Sequence, residues 1–152
     1  MADISGSHTL EIDAPVEVCF DIAADVERAP EWQGAMKSAS AREYDDEGRP
    51  TLVDVQIDSG VSKEKLLLRF SYDEPHGMTW TRESGDLKSL EGSWAFEDLG
   101  DGRTRATYAL DIGLPRALAI LRKGIKGPAE QKVRELLANR PVEGLKARAE
   151  SA

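Results

Sequence analysis

The sequence predicts an α+β protein in which an antiparallel sheet of seven strands packs against a long C-terminal helix. Between residues 36 and 113, six segments separated by short turns alternate apolar and polar side chains, as half-buried antiparallel strands do. From Pro115 to about Ala149, apolar residues instead recur every three or four positions, which is the period of an amphipathic helix. Because such a helix must bury its apolar stripe, we expect it to lie against the dry face of the sheet.

One strand and two short helices are predicted before the six alternating segments. Apolar and polar residues alternate over Ile4–Ile12, so this segment is predicted to be a half-buried strand. The next residues are expected to end the strand and start a helix, with Asp13 or Ala14 at the cap and Pro15 in the first turn. That helix is predicted to end near Asp25, and a second helical turn is predicted at Glu31–Gly34.

Six further strands are predicted where turn-forming residues bound the alternating segments. These strands are Met36–Tyr44, Thr51–Asp58, Lys63–Tyr72, Met78–Glu83, Ser89–Glu97 and Thr104–Ile112. In the first of them, two alternating sets compete for the inner face. The sets are Met36, Ser38, Ser40 and Arg42 in one register, and Ala39 and Ala41 in the other. In the C-terminal helix, breaks are expected at Gly127-Pro128 and at Pro141.

Length and composition are those of one globular domain. The chain has 152 residues, enough for a sizeable core, and it contains no apolar run long enough to span a membrane. The lone cysteine, Cys19, excludes an internal disulfide. The N-terminus has neither the basic start nor the apolar core of a signal peptide, so we expect a cytoplasmic protein.

Charge is distributed unevenly along the chain. The net charge of −8 argues against nucleic-acid binding. Residues 1–115 carry 11 basic and 24 acidic side chains, a net −13, whereas residues 116–148 carry 9 basic and 3 acidic ones, a net +6. Two explanations of the basic segment stay open. It is either a solvated helix face that balances an acidic sheet, or a surface for transient contact with an anionic membrane or an acidic partner.

The sequence gives little support for catalytic or metal chemistry. His8 and His76 are the two histidines, and neither has a cysteine or carboxylate beside it at a metal-ligand spacing. Gly-x-Gly-x-x-Gly and Walker patterns are absent. Cys19 has apolar neighbours at helical spacing and is predicted to be a packing residue. We therefore predict no catalytic residue, no metal and no cofactor.

Several motifs resemble the helix-grip proteins of the Bet v 1-like superfamily, also called START or SRPBCC. The segment Leu10–Val18 is similar to the family's opening I-x-A-P-x-x-V, and Asp25 followed by Pro30–Trp32 is similar to its D…(P)xW element. Gly48, in an acidic turn after a strand, also fits the family. Two further segments resemble actinobacterial polyketide cyclase/dehydrase and lipid-transport members. They are Lys88–Trp94 and Gly144–Glu150, the latter similar to a closing LKxxxE.

The resemblance implies a single helix-grip domain over residues 1–152, with a curved sheet around the C-terminal helix and an apolar cavity between them. It also implies that the cavity binds or transports a hydrophobic small molecule such as a lipid, a quinone or a polyketide. Two alternatives stay open: an enzyme of the polyketide cyclase/dehydratase type, and a protein-interaction module. The stretch from Gly124 to Pro141 departs from the family, because it is longer and more interrupted than the usual single helix.

The candidate ligand-binding residues are those that strand register and helix period direct towards the cavity. They are His8, Val55, Ile57, Leu68, Phe70, Tyr72, Trp80, Arg82, Trp94, Tyr108, Leu118 and Leu121. The rings either line the cavity or only fill the core. Arg82 either binds a ligand carboxylate or enolate or extends to solvent at a strand end. His8 is either a general base or a hydrogen-bonded core residue. Trp32 is predicted to pack under the two short helices and to support the cavity entrance.

Overall fold

A computed structural model describes residues 4–58, 63–114 and 135–151 of the chain. The strands are β1 (Ile4–Ile12), β2 (Met36–Tyr44), β3 (Pro50–Asp58), β4 (Lys63–Asp73), β5 (Gly77–Gly85), β6 (Ser89–Gly100) and β7 (Arg103–Gly113). The helical elements are α1 (Val16–Ala24), a 3₁₀ helix (Val26–Glu31), a π-helical turn (Glu135–Asn139) and α2 (Arg140–Glu150). All seven predicted strands are therefore confirmed, with ends that differ from the prediction by three residues at most.

The strands form one antiparallel sheet in the order β1-β7-β6-β5-β4-β3-β2. Strands β2 to β7 follow one another as hairpin neighbours, and β1 returns to pair with β7. Helix α1 contacts β6 and β7, and α2 contacts β1, β7 and α1, so both helices cover the same end of the inner face. The curved sheet with a C-terminal helix against it confirms the predicted α+β helix-grip class.

The two faces of the sheet differ in polarity, as the alternation predicted. The outer face carries ion pairs between neighbouring strands. They join Arg42 to Asp54 at 2.5 Å, Arg69 to Glu83 at 3.0 Å, Arg103 to Glu11 at 2.6 Å and Arg105 to Glu97 at 2.8 Å. The inner face carries the buried apolar side chains, so one face of the sheet is wet and the other dry.

The first two helices differ from the prediction in their boundaries. Pro15 is the N-cap of α1 and not part of its first turn, because its ψ of 153° is extended and helical geometry begins at Val16. The second helical turn is the 3₁₀ helix Val26–Glu31, earlier than the predicted turn. It ends just after Pro30, which has no N–H to continue a helix, and the N–H of Trp32 closes the last turn on a preceding carbonyl.

Strand β2 contains a bulge that settles its ambiguous register. The pairing with β3 shifts between Met36 and Ser38, so one extra residue is accommodated there. As a result Met36, Ala39 and Ala41 all pack against the core, although they do not share one alternating pattern. The polar residues between them are exposed. Each of the two competing sets was therefore correct for only part of the strand.

The described end of the C-terminal helix changes its hydrogen-bonding pattern at Asn139–Arg140. The π-helical turn ends there, and Pro141 lies in the first turn of α2, where its missing N–H needs no helical partner. Hydrogen bonding thus changes from π-helical to α-helical just before Pro141, the position where a kink or break was predicted. The predicted helical residues 115–134, including the break at Gly127-Pro128, lie outside the described residues.

The closing LKxxxE motif fastens α2 to the corner between β1 and α1. Leu145 is fully buried, Lys146 donates to the carbonyl oxygen of Glu11 at 3.0 Å, and the Glu150 carboxylate accepts the N–H of Asp13 at 2.8 Å. The spacing of the two polar residues follows from the helix, because Lys146 and Glu150 are four positions apart and lie on the same side. The motif therefore has a structural function in this chain.

A glycine lets α2 approach the chain after the 3₁₀ helix. A Cβ added to Gly144 would lie 2.2 Å from the carbonyl oxygen of Trp32. Beside this contact Arg148 pairs with Glu31 at 2.7 Å. The Trp32 ring is partly buried and packs against Trp94, with 6.2 Å between ring centroids. Trp32 is thus held between α2 and the sheet.

Candidate ligand-binding site

The inner face of the sheet collects most of the predicted ligand-binding residues. Val55, Leu68, Phe70, Trp80, Trp94 and Tyr108 are each at most 6% exposed, and His8, Ile57, Tyr72 and Arg82 are partly buried. Strand register places them on one face, because directly opposed residues of antiparallel strands point the same way. Leu118 and Leu121 lie outside the described residues, so the cavity predicted between the sheet and that segment stays a prediction.

One end of this face, here called the aromatic end, is a closed circuit of rings. Each ring contacts the next with centroids 4.8 to 6.5 Å apart. In order the circuit runs Trp94, Tyr108, Trp80, Phe70, Tyr72, Phe20, Phe96 and back to Trp94. Phe20 comes from α1, so the helix closes the circuit over the sheet. This end is therefore packed core, which favours the interpretation that most of these rings fill space.

Trp80 occupies a position that requires a glycine on the neighbouring strand. Trp80 on β5 pairs with Gly92 on β6. A Cβ on Gly92 would lie 2.2 to 2.4 Å from three atoms of the indole. The indole therefore lies directly against the backbone of β6. Phe70 and Tyr108 hold it from both sides at centroid distances of 5.6 and 5.5 Å.

Two of the predicted ligand-binding residues, Tyr72 and Tyr108, carry hydroxyl groups on the inner face. The Tyr72 hydroxyl donates to the carbonyl oxygen of Pro50 at 2.5 Å, so this donor is already used within the protein. The guanidinium of Arg49 lies over the rings of Phe20 and Tyr72, at 5.1 and 5.8 Å. Burial raises the pKa of Tyr72 and of Tyr108 above the ordinary value. Both hydroxyls thus stay protonated and act as hydrogen-bond donors.

The other end of the inner face, here called the aliphatic end, carries branched aliphatic side chains in place of rings. Its members are Val55, Leu66, Leu68, Leu90 and Ile112, each at most 6% exposed. They come from β3, β4, β6 and β7, and cross-strand pairing aligns Val55 with Leu66 and Leu90 with Ile112. This end is as apolar as the aromatic end, but ring contacts do not fix its side chains.

Arg82 brings a charged group into the aliphatic end. It pairs with Leu68 across β5 and β4, on the inner face. Its Nη2 donates to the carbonyl oxygen of Gly85 at 2.9 Å. Its Nε–H is buried and has no acceptor among the residues that the structure describes. A buried unsatisfied donor costs about 1–3 kcal/mol, so a native protein retains one only for a reason.

Glu64 is a buried inner-face residue that the sequence analysis missed. It is 7% exposed and pairs with Ile57 across β4 and β3. The signal was present, because Glu64 is in phase with Leu66 and Leu68 along the strand. An acidic side chain that alternates in step with buried apolar residues is a candidate site residue, since carboxylates are rarely buried without a function or a partner.

His8 and Cys19 show little of the geometry that catalysis needs. His8 pairs with Tyr108 on the inner face, as predicted, but it lies on the edge strand β1. Burial raises the pKa of the Cys19 thiol, which disfavours the reactive thiolate. Over residues 4–58, 63–114 and 135–151, no group of histidine, cysteine and acidic side chains is arranged to bind a metal.

A curved antiparallel sheet that faces a C-terminal helix with an apolar inner surface defines the helix-grip class. Within it, the chain belongs to the family described as polyketide cyclase / dehydrase and lipid transport, whose model matches residues 12–138. Comparison with curated protein sequences gave no match. In the described part of the chain, no helix combines the length and apolarity needed to cross a membrane.

Solved structures share the fold at low sequence identity. A START superfamily protein from Mycobacterium smegmatis is 20% identical with a TM-score of 0.79, and the alignment covers 97% of both chains. A protein from Thermus thermophilus is 22% identical with a TM-score of 0.77, again over 97% of both. An aromatase/cyclase from a Streptomyces species is 17% identical with a TM-score of 0.72, over 96% of this chain and 93% of that one. At these identities the similarity concerns the fold alone.

Proposed function

We propose that this protein binds a hydrophobic small molecule against the aliphatic end and does not catalyse a reaction on it. The ligand is lipid-, quinone- or polyketide-like and carries a carboxylate or enolate oxygen. The observation that carries the proposal is the Nε–H of Arg82, which has no acceptor among the described residues and lies on a largely apolar stretch of the inner face. Apolar surface supplies affinity at about 25 cal/mol per Å² buried, and the guanidinium supplies a charge-assisted hydrogen bond.

The separation of His8 from Arg82 supports binding over catalysis. The two residues lie on β1 and β5, with β7 and β6 between them. Three strand spacings amount to about 14 Å, before any offset along the strands is added. A general base and an oxyanion-binding group that act on one reaction centre must both reach it within about 3 Å. His8 and Arg82 therefore do not form one catalytic constellation.

A comparison of decanoate with decanol tests the proposal. Both displace the fluorescent dye anilinonaphthalene sulfonate (ANS) from an apolar site, but only decanoate offers an anionic acceptor, and hence a charge-assisted hydrogen bond, to Arg82. In Arg82→Met, loss of the charge-assisted bond, worth about 1.5–3 kcal/mol, should weaken decanoate roughly 10- to 150-fold. Decanol should bind as before.

The matched control is Arg69→Met. Arg69 lies on the outer face, pairs with Glu83 at 3.0 Å, and its replacement removes the same charge. Decanoate affinity should be unchanged in this variant. Equal weakening of decanoate in both variants would mean that overall charge, and not Arg82, controls binding. A wild-type protein that binds neither ANS, decanoate nor decanol would contradict the proposal as a whole.

A polyketide cyclase/dehydratase is the second candidate function, and the pairing of His8 with Tyr108 on the inner face favours it. In that role the hydroxyl of Tyr108 would donate a hydrogen bond to a ketone and His8 would remove an adjacent proton. The test is to add the purified protein to a polyketide synthase that makes an unreduced poly-β-keto chain. A change in the ratio of cyclised products that is lost in His8→Ala would support the enzyme.

We also propose that the basic segment docks transiently on an anionic membrane. Among the described basic residues of residues 116–148, Lys146 and Arg148 are engaged in ion pairs with Glu150 and Glu31. Docking is therefore assigned to Arg122, Lys123 and Lys126, at about 1 kcal/mol for each side chain near the surface. Binding to phosphatidylglycerol vesicles should fade with added salt.

Two triple variants with the same change in charge test the docking. Arg122, Lys123 and Lys126 replaced together by Gln should abolish co-sedimentation with the vesicles. Arg140, Lys146 and Arg148 replaced together by Gln should retain most of it. Failure of the wild type to co-sediment at low salt would contradict membrane docking and favour a segment that only balances the acidic body.

A further inference from the structure

We infer that Trp80, seated on Gly92, is the end wall of the ligand site and sets the longest ligand that the aliphatic end accepts. This inference rests on the proposed function, because it assigns a specificity-determining residue to the same site. The inference concerns the boundary between the two ends of the inner face. On one side of Trp80 lies the aromatic end, and on the other lies the aliphatic end with Arg82.

The position of Trp80 depends on the absence of a side chain at residue 92. A Cβ there would lie 2.2 Å from Cε2, 2.3 Å from Nε1 and 2.4 Å from Cζ2 of the indole. All three distances are below those at which real Cβ atoms contact other atoms. Any larger residue would therefore push the indole away from β6 and towards the interior. Gly92 thus fixes how far Trp80 projects.

Trp80 is also a rigid wall, because neighbouring rings support it. Phe70 and Tyr108 flank it at 5.6 and 5.5 Å, and Trp94 packs edge-on against Tyr108 at 4.8 Å. Trp80 itself is 6% exposed. An apolar chain that meets the indole has no route between these rings, since they form a closed circuit.

The spacing between Trp80 and Arg82 makes the wall relevant to the ligand. The two residues are two positions apart on β5 and share a face, so they lie about 7 Å apart along the strand. A polar head bound at Arg82 is therefore close to the indole. A ligand chain that runs from this head towards α1 is stopped by the indole, so the length accepted is what fits between the indole and the far side of the aliphatic end.

The experiment measures the affinity of saturated fatty acids, from octanoate to stearate, by displacement of ANS. In the wild type, each added methylene should raise affinity about fourfold until the site is filled, after which the gain stops. The chain length at which the gain stops is here called the break. In Trp80→Leu the break should move to longer acids by at least two methylenes. In Gly92→Ala the displaced indole should move the break to shorter acids.

Phe96→Leu is the matched control. Phe96 is 4% exposed and stacks on Trp94 at 5.6 Å, so this variant also removes a buried ring from the aromatic end. It does so away from Arg82, and the break should stay where it is in the wild type. Circular dichroism checks that each variant folds. If Trp80→Leu does not fold, Trp80→Phe takes its place.

Three outcomes separate the two proposals. A break that moves in Trp80→Leu and not in Phe96→Leu supports the wall. A wild type that binds fatty acids, with the same break in Trp80→Leu or with equal movement in Phe96→Leu, overturns the wall and leaves the proposed function standing. A wild type that binds neither ANS nor any of the acids overturns both.

Discussion

The aromatic end and the aliphatic end lie on the same face of the same sheet, yet they are built in different ways. At the aromatic end, seven rings contact one another in a closed circuit, and the hydroxyl of Tyr72 is bonded to the carbonyl of Pro50. At the aliphatic end, smaller side chains surround Arg82, whose Nε–H has no acceptor among the described residues. The Tyr72 hydroxyl thus has a partner within the protein, whereas the Arg82 Nε–H has none among the described residues.

The difference teaches how one sheet layer can serve both stability and binding. Close packing of large rings supplies stabilisation and leaves no room for a ligand. An unmade hydrogen bond costs stability, and under the proposed function a bound molecule would complete it. Helices α1 and α2 cover the aromatic end, through Phe20 and through the contact of Gly144 with Trp32. We therefore expect substitutions at the two ends to have different consequences.

The largest effect is expected for Phe20→Ala at the aromatic end. Phe20 is fully buried and makes edge contacts with Tyr72 and Phe96 at 6.4 and 6.5 Å. Its loss should lower the free energy of unfolding by about 3–5 kcal/mol in urea denaturation. Arg82→Met is the comparison at the aliphatic end, where removal of an unsatisfied donor should leave stability unchanged or raise it. A larger loss of unfolding free energy in Arg82→Met than in Phe20→Ala would contradict the expected difference between the two ends.

A smaller effect is expected where α2 covers the aromatic end. Gly144→Ala places a Cβ against the carbonyl oxygen of Trp32 and should lower stability by about 1–3 kcal/mol, because α2 must move away. Helix propensity alone predicts the opposite, a gain of about 1 kcal/mol. Ala147→Gly, at an exposed position of the same helix, is the control and should cost about 1 kcal/mol through propensity. A more stable Gly144→Ala protein would show that α2 does not press on Trp32.

The smallest effect concerns the pH dependence of the contact by which Glu150 of α2 accepts the N–H of Asp13. The N–H of Asp13 and then the ammonium of Lys146 lower the pKa of Glu150. Because its folded-state pKa lies below the unfolded value of about 4.3, the ionised carboxylate stabilises the fold above that pH. This contribution is lost as pH falls through the folded-state pKa. The melting temperature of Glu150→Gln should thus be below that of the wild type at neutral pH, and the difference should disappear in acid.

Glu91→Gln is the control for that pH profile, since Glu91 is exposed on the outer face of β6. Its melting temperature should follow the wild type at every pH. If the gap between wild type and Glu150→Gln persisted unchanged at low pH, the carboxylate charge would not be what fastens α2.

The sequence predicted the strands and their faces because alternation depends on local residue order. All seven strands and the inner-face positions of Leu68, Trp80 and Tyr108 followed from it. The bulge in β2 and the start of α1 after Pro15 were missed in part, because they depend on backbone angles that residue type does not fix. The resemblance pointed to the closing LKxxxE motif, but only the fold brings Glu150 to the N–H of Asp13.

The site was less predictable than the fold, because its properties depend on contacts between distant residues. Arg82 was recognised as a candidate, but its unpaired Nε–H appears only when its neighbours are placed. The rings were identified without the closed circuit that they form, because it joins side chains from several strands and α1. Tyr72 was a candidate ligand-binding residue, but its bond to Pro50, which joins residues 22 positions apart, appears only in the structure. Glu64 was omitted although its phase along β4 matched the buried residues.

A methyl and arginine NMR titration with decanoate tests the central claim most directly. The account predicts the largest shifts at the methyl groups of Leu66, Leu68, Leu90 and Ile112 and a new hydrogen bond at the Nε–H of Arg82. The methyl groups of Val16 and Ala23, which belong to the buried face of α1, should move little. Largest shifts at α1, or an Arg82 Nε–H that does not respond at saturation, would contradict ligand binding at the aliphatic end.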